Sequence, residues 1–183
     1  IAQVGYMVLG LSFGSLDGVT GGIVHLFNHA LVKAALFMVL GVFVLRVGSA
    51  RLQDLAGIGR TIPVTMGAFV VGGLGLIGVP LTVGFISKWY LIMAALATGV
   101  TGYMIVGVVV FSSLLAVIYV WRFVEVAYFR EPSDKLIGLA PAHWTMLLPM
   151  WCLLGASIWF GIDTELSVGT ARHAAEILLG VVK

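Results

Sequence analysis

Two histidines and a lysine recur at intervals of four in the apolar segment GGIVHLFNHALVKAALF: His25, His29 and Lys33. On a helix each step of four advances 400°, so the three side chains drift only about 80° around one face while climbing about 6 Å per step. Histidine exchanges protons near neutral pH, and burial can bring an amine into the same range. A stripe of this kind can pass protons along one face of a helix. Asn28, next to His29, can add a hydrogen bond beside it. A lone membrane histidine is more often a packing residue satisfied by its neighbours. Three aligned titratable groups are harder to explain that way.

A second group lies in GVPLTVGFISKWY, where Pro80 and Gly84 interrupt an apolar run, Thr82 and Ser87 place hydroxyls beside the interruption, and Lys88 follows it. Half-helix ends at such a break carry partial charges, and discontinuous helices commonly frame ion sites in transporters. The plainer alternative is a proline kink that only shapes packing.

Other chemistries fit less well. A zinc helix of the His-x3-His type needs Glu directly after the first histidine, but Leu26 stands there and no nearby carboxylate supplies a third ligand, so no metal site is expected. No Walker loop, Gly-x-Ser-x-Gly elbow or dinucleotide fingerprint is present, and no cofactor is expected. Cys152 is the single cysteine, which excludes an internal disulfide; among Trp151, Leu153 and Leu154 it reads as a small core residue. The net charge of +2 and the lack of a basic run suggest no nucleic-acid partner.

The elements that carry these groups belong in a bilayer. Of the 183 residues 61% are hydrophobic and 10% charged, whereas a soluble domain carries about 25% charged residues. Apolar stretches run over 1–16, 21–45, 64–98, 101–129 and 143–162, with connections at 17–20, 46–63, 99–100 and 130–142. The third stretch is too long for one straight span of about 20 residues. Split near Val79–Gly84, however, it leaves halves of about 24 and 22 Å, each short of a hydrocarbon core of about 30 Å. One broken crossing is therefore expected. Charge agrees: Arg46, Arg51 and Arg60 precede the broken stretch, while Arg122, Arg130 and Lys135 sit at and after the end of the next helix. A single crossing places both basic groups on one side, as cytoplasmic loops require.

The expected fold is thus all-α: a polytopic transmembrane helix bundle with about five crossings and one discontinuous helix. Residues 1–162 form the membrane domain, with basic loops 46–63 and 130–142 cytoplasmic. Residues 163–183 form an outer tail, read as a short amphipathic helix or a disordered end. The start at Ile1 inside an apolar stretch is expected of the C-terminal piece of a longer protein. Of 18 charged residues only Lys33 and Lys88 cannot be assigned to loops, span ends or the tail. Lys33 lies about 18 Å from either end of its stretch, beyond the reach of snorkelling, and such a residue costs roughly 2.5–3.5 kcal/mol to insert. Pairing across a helix interface is the alternative use for each lysine.

The segments HLFNHALVKAALF (25–37), RLQDLAGIGRTIP (51–63) and GVPLTVGFISKWYL (78–91) resemble the antiporter-like subunits shared by Mrp-type cation/proton antiporters and respiratory complex I. The resemblance covers roughly residues 1–130 and is greatest to the D-type subunits of the Mrp antiporters, partly because position 88 is Lys. It implies the C-terminal half of a fourteen-helix subunit and matches Lys88 to the family's essential broken-helix lysine. It likewise matches His25, His29 and Lys33 to the His/Lys series on the preceding helix. Leu81 stands where many relatives have a second proline.

The implied function is proton translocation in a multisubunit Na+/H+ antiporter of the inner (plasma) membrane, through a His25, His29, Lys33 and Lys88 relay. Asn28, Pro80, Thr82, Gly84 and Ser87 would support the relay or the break. The implied partners are other membrane subunits, protons, Na+ and membrane lipid. Alternatives are a proton-pumping subunit of NADH:quinone oxidoreductase or a related hydrogenase complex, and a structural subunit whose lysines only hold helices together. Any oxidoreductase activity would belong to the whole complex.

Overall fold

The computed structural model describes residues 2–181; Ile1, at the start of the first apolar stretch, and Val182 and Lys183, at the end of the tail, lie outside the described residues. Among the described residues eight α-helices follow in order: α1 (Ala2–Ser12), α2 (Leu16–Val47), α3 (Ile58–Thr61), α4 (Pro63–Ile77), α5 (Val83–Leu96), α6 (Val100–Phe129), α7 (Trp144–Ile162) and α8 (Glu165–Leu178). A 3-10 turn at Asp134–Leu136 interrupts the connection before α7. Among the described residues α2, α6 and α7 are each long and apolar enough to cross a membrane alone. The others are too short.

Glycine contacts fix the register. Along α2, from its C-terminal half toward its start, Leu36 meets Gly72, Val32 meets Gly75, Asn28 meets Gly84, and Gly21 meets Tyr90 and Leu91. Helices α4 and α5 therefore follow one another along a single line antiparallel to α2, as one interrupted crossing. On its other side α6 runs antiparallel to this line, with Ala95 against Gly102 and Gly73 against Val120, and its last turn meets α3, where Gly59 packs on Tyr128. Helix α7 runs parallel to it, pairing Trp151 with Gly67, Leu154 with Gly72 and Gly161 with Leu81. Helix α1 lies antiparallel on α2, where Gly10 packs on Gly18 and Gly22 with no room for a side chain. With 11 residues it covers about 16 Å of that face.

The alternation brings both basic connections to one end of the bundle. Gly57 N–H donates to Val126 O and Ser133 N–H to Ala56 O, each at 3.1 Å. Lys135 pairs with Asp54 at 2.9 Å. Beneath them lies the largest core cluster, which joins Val39, Phe43, Leu55, Ile58, Met66, Ala127, Met150 and Leu154 from five elements and their connections.

Three sequence readings need correction. Residues 17–20 are not a connection: Ser15 Oγ accepts from Gly18 N–H and starts α2 before Asp17, whose carboxylate suits a helix N-terminus. Arg46 sits in the last turn of α2, not in the loop beyond it. Cys152 is exposed, because Met150, Leu154 and Ser157 define the inward face of α7 and leave position 152 turned away from it. The tail is helical: α8 buries Ala171 and Ala175, and Ala171 packs in a cluster with Val24 and Val83.

Candidate functional site: a lysine in the helix break

The sequence at the end of α4 forces the interruption. Gly78 caps the helix at φ 85°, and its N–H and that of Val79 both return to Leu74 O. Thr82 Oγ donates to Val79 O at 2.7 Å and closes the turn before α5 starts at Val83. Between them Leu81 takes φ 77°, the one non-glycine residue with positive φ among those described. Proline cannot adopt that angle, so the break here is built differently from one with a second proline.

The last carbonyls of any α-helix lack donors within it and form its partially negative end. Lys88 meets that end. Side chains on a helix lean toward its N-terminus, so the Lys88 stem runs back over the first turn of α5, across Gly78, to α4. Its Nζ donates to Ile77 O at 2.6 Å, to Leu76 O at 3.2 Å and to Ser113 Oγ of α6 at 2.9 Å. All three ammonium protons thus have a partner, and the lysine is 6% exposed. None of the ion pairs among the described residues involves Lys88 or Lys33. The lysine-bridge alternative therefore takes another form at Lys88, as an ammonium held by neutral oxygens.

His25, fully buried, joins the same site from α2. Its Nδ1 lies 2.9 Å from Ser87 Oγ and its Nε2 2.9 Å from Gln3 Oε1 of α1. With Gln3 accepting from Nε2–H, Nδ1 offers its lone pair to the Ser87 hydroxyl; alternatively Ser87 donates to Gly84 O at 3.1 Å and accepts from an Nδ1–H. The hydroxyl can serve either state of the ring. Tyr6 of α1 touches both basic groups, with its ring centroid 5.1 Å from that of His25 and 5.2 Å from Lys88 Nζ.

The structure therefore gathers His25, Asn28, Gly84, Ser87 and Lys88 around the break, with Pro80 and Thr82 inside it. Asn28 Oδ1 and His29 Nδ1 are buried without a partner among the described residues. Buried polar atoms of this kind are commonly served by ordered water. Lys33 stands apart from the cluster: half-buried, it lies with its Nζ 5.0 Å from the Phe37 ring. There it lines a cavity of about 270 Å³ with Phe43, Leu55, Phe69 and Phe123, toward the end where the basic connections meet. The 80° drift of the stripe turns its lower end from α5 toward this cavity.

Sequence reasoning missed Gln3, Tyr6 and Ser113. Each had a faint signal: Gln3 and Tyr6 share a face at i, i+3 in a short apolar stretch, and Ser113 belongs to a serine pair within a long apolar helix.

Comparisons with known proteins bear on the family and the fold. Residues 1–116 match the family model described as NADH:quinone oxidoreductase/Mrp antiporter, transmembrane. The chain is 45% identical over 130 residues to NADH-quinone oxidoreductase subunit N of Desulforudis audaxviator, covering 71% of this chain and 26% of that protein. It is 30% identical over 186 residues to the D subunit of the Na(+)/H(+) antiporter of Bacillus subtilis, covering 100% of this chain and 37% of that protein. A chain in the structure of the Mrp complex from Dietzia sp. DQ12-45-1b superposes with a TM-score of 0.85 at 25% identity, covering 97% of this chain and 41% of that one. The chain thus spans between about a quarter and two fifths of the length of these relatives. A discontinuous helix, a bundle of long apolar helices and a family model matched from residue 1 to residue 116 lead to one assignment: the chain is a multi-pass membrane protein of the NADH:quinone oxidoreductase/Mrp antiporter transmembrane family.

Proposed function

We propose that this chain forms part of a proton-translocating membrane subunit, in which His25, His29 and Lys33 relay protons through intervening water and Lys88 exchanges with that relay. One observation carries the reading. The Lys88 ammonium is held by helix-end carbonyls and a serine hydroxyl, all neutral, and its neighbour Ser87 hydrogen-bonds His25. A lysine held without a counter-charge can lose and regain a proton without leaving a carboxylate stranded. Asn28 Oδ1 and His29 Nδ1, buried and without a partner among the described residues, support a water-filled path along α2.

Arg46, Arg51, Arg60, Arg122, Arg130 and Lys135 lie toward one end of the bundle, which faces the cytoplasm of an inner (plasma) membrane by the usual bias of basic residues. The relatives are named as subunits, so the chain works among other membrane subunits, exchanging protons and, in the antiporter reading, Na+. The 45% identity to a subunit N favours a second reading, in which the same relay is driven by quinone reduction.

The test is proton transport measured by pH-gradient dye fluorescence in vesicles that hold the protein in its native assembly. Lys88→Ala and Lys33→Ala are each expected to abolish most transport while assembly is retained. Wild-type transport in both would leave the lysines a purely structural role. Dependence of the dye signal on Na+ or on a quinone reductant separates the two driving reactions.

A further inference from the structure

Tyr6 belongs to no motif, yet it is buried where side chains of α1, α2, α5 and α6 meet around Lys88. Its ring meets the His25 imidazole at 5.1 Å with an interplanar angle of 70°, an edge-to-face contact. The same ring faces Lys88 Nζ at 5.2 Å. Its phenol donates to Val109 O of α6 at 3.3 Å, which ties the ring to the helix that also supplies Ser113 to the ammonium. One turn earlier, Gln3 holds the far nitrogen of His25.

An aromatic face attracts a cation through its quadrupole and has no comparable hold on a neutral amine. The contact with Lys88 therefore depends on the proton that the amine carries, whereas the contact with His25 does not require one. We propose that Tyr6 is a positioning residue of the proton path, whose ring face retains Lys88 in the helix break while the lysine is charged and whose contact with His25 keeps the two groups in register for exchange. This rests on the relay reading. It adds α1 to the working parts of the site, and the chemistry it invokes lies in the ring more than in the hydroxyl.

The groups that face Lys88 come from four helices. They are Tyr6 from α1, His25 from α2, the carbonyls of Leu76 and Ile77 from α4, and Ser113 from α6. His29 lies one turn further along α2 and Tyr119 further along α6. The α7 residues that meet the break, Ser157 and Gly161, carry no titratable group.

The experiment compares Tyr6→Phe, Tyr6→Leu and Tyr6→Phe carrying three ring fluorines, which empty the ring face of negative potential at nearly constant size. Lys88→Ala serves as the control. All are assayed in vesicles that hold the native assembly, as proton transport rate against pH. Tyr6→Phe keeps the ring and is expected to stay within about twofold of the wild-type rate with an unchanged pH midpoint. Tyr6→Leu and the fluorinated ring are expected to lower the rate severalfold and move the midpoint to lower pH by about half a unit or more, because a contact made only by the charged amine is lost. Wild-type profiles in both would overturn the proposal. So would a Tyr6→Phe loss as large as that of Tyr6→Leu, which would place the effect in the hydroxyl. Should Tyr6→Leu fail to assemble, the fluorinated ring decides alone. Wild-type transport in Lys88→Ala would overturn the relay reading itself, and the role of Tyr6 with it.

Discussion

Gly84→Ala tests the geometry of the break with the smallest change that can disturb it. Gly84 is the second residue of α5, and its backbone is not in the left-handed region, so alanine meets no conformational objection there. The added methyl alone matters. It would press into the Gly75 carbonyl oxygen, lie 3.3 Å from the Gly75 carbonyl carbon and come within 3.0 Å of Asn28 Nδ2. Two of these atoms are backbone and cannot rotate away. Restoring ordinary contact moves α5 from α4 by about 1 Å, and overpacking of this kind costs about 1–3 kcal/mol. The same shift draws Lys88 Nζ from Ile77 O, now 2.6 Å away, toward the outer limit of a hydrogen bond. Misplacing a reacting group by an ångström can cost on the order of a hundredfold in rate, so vesicle transport should fall at least about tenfold. Gly155→Ala is the control: nothing lies within 4 Å of the new methyl, and alanine is favoured over glycine inside α7 by about 1 kcal/mol. Thermal stability of the solubilised assembly, read by size exclusion after heating, should fall in the first variant and not in the second. Wild-type transport and stability in Gly84→Ala would refute the close approach of α4 and α5.

Two further outcomes are expected. Leu81, 67% exposed at φ 77°, gives up little packing when replaced, so Leu81→Gly should leave thermal stability equal or raise it by up to about 1 kcal/mol, while Leu81→Pro, barred from positive φ, should lower it by more than that. At the basic end, the hydrogen bond from Ser49 and then the contact with Lys135 hold the Asp54 carboxyl below its ordinary range. A carboxyl depressed in the folded state contributes stability above its unfolded value of about 3.9 and loses it as pH falls through the lower folded value. Hydrogen-exchange protection over residues 49–57, taken relative to the intrinsic rate at each pH, should fall in that acid window in the wild type and stay level in Asp54→Asn.

Much of the path to the site could be read before the fold was known. Pro80 and Gly84 in an overlong apolar run located the break, because length and backbone chemistry are local properties. The distribution of arginines pointed to a single broken crossing, and the structure joins the two basic connections at one end, where Lys135 meets Asp54. What escaped were the neighbours. Gln3 and Tyr6 reach His25 because Gly10, Gly18 and Gly22 let α1 settle on α2 in one register, a matter of shape that polarity along either helix does not encode. The position of Lys33 was similarly hidden. Periodicity gives the face a residue occupies, but the helix opposite that face depends on how the whole bundle closes.

The line of contacts from Leu36 to Gly21 has a mechanical consequence. Helix α2 lies unbroken across the fracture between α4 and α5 and grips both fragments, as a splint grips a broken bone. The fragments can pivot only by sliding against it, and the residues at the fracture line are Val32, Asn28 and His25. The helix that bears the histidines is therefore also the part that feels any opening of the break. In such an arrangement any movement of α5 that draws Lys88 from the α4 carbonyls also moves its neighbour Ser87, and with it the surroundings of His25.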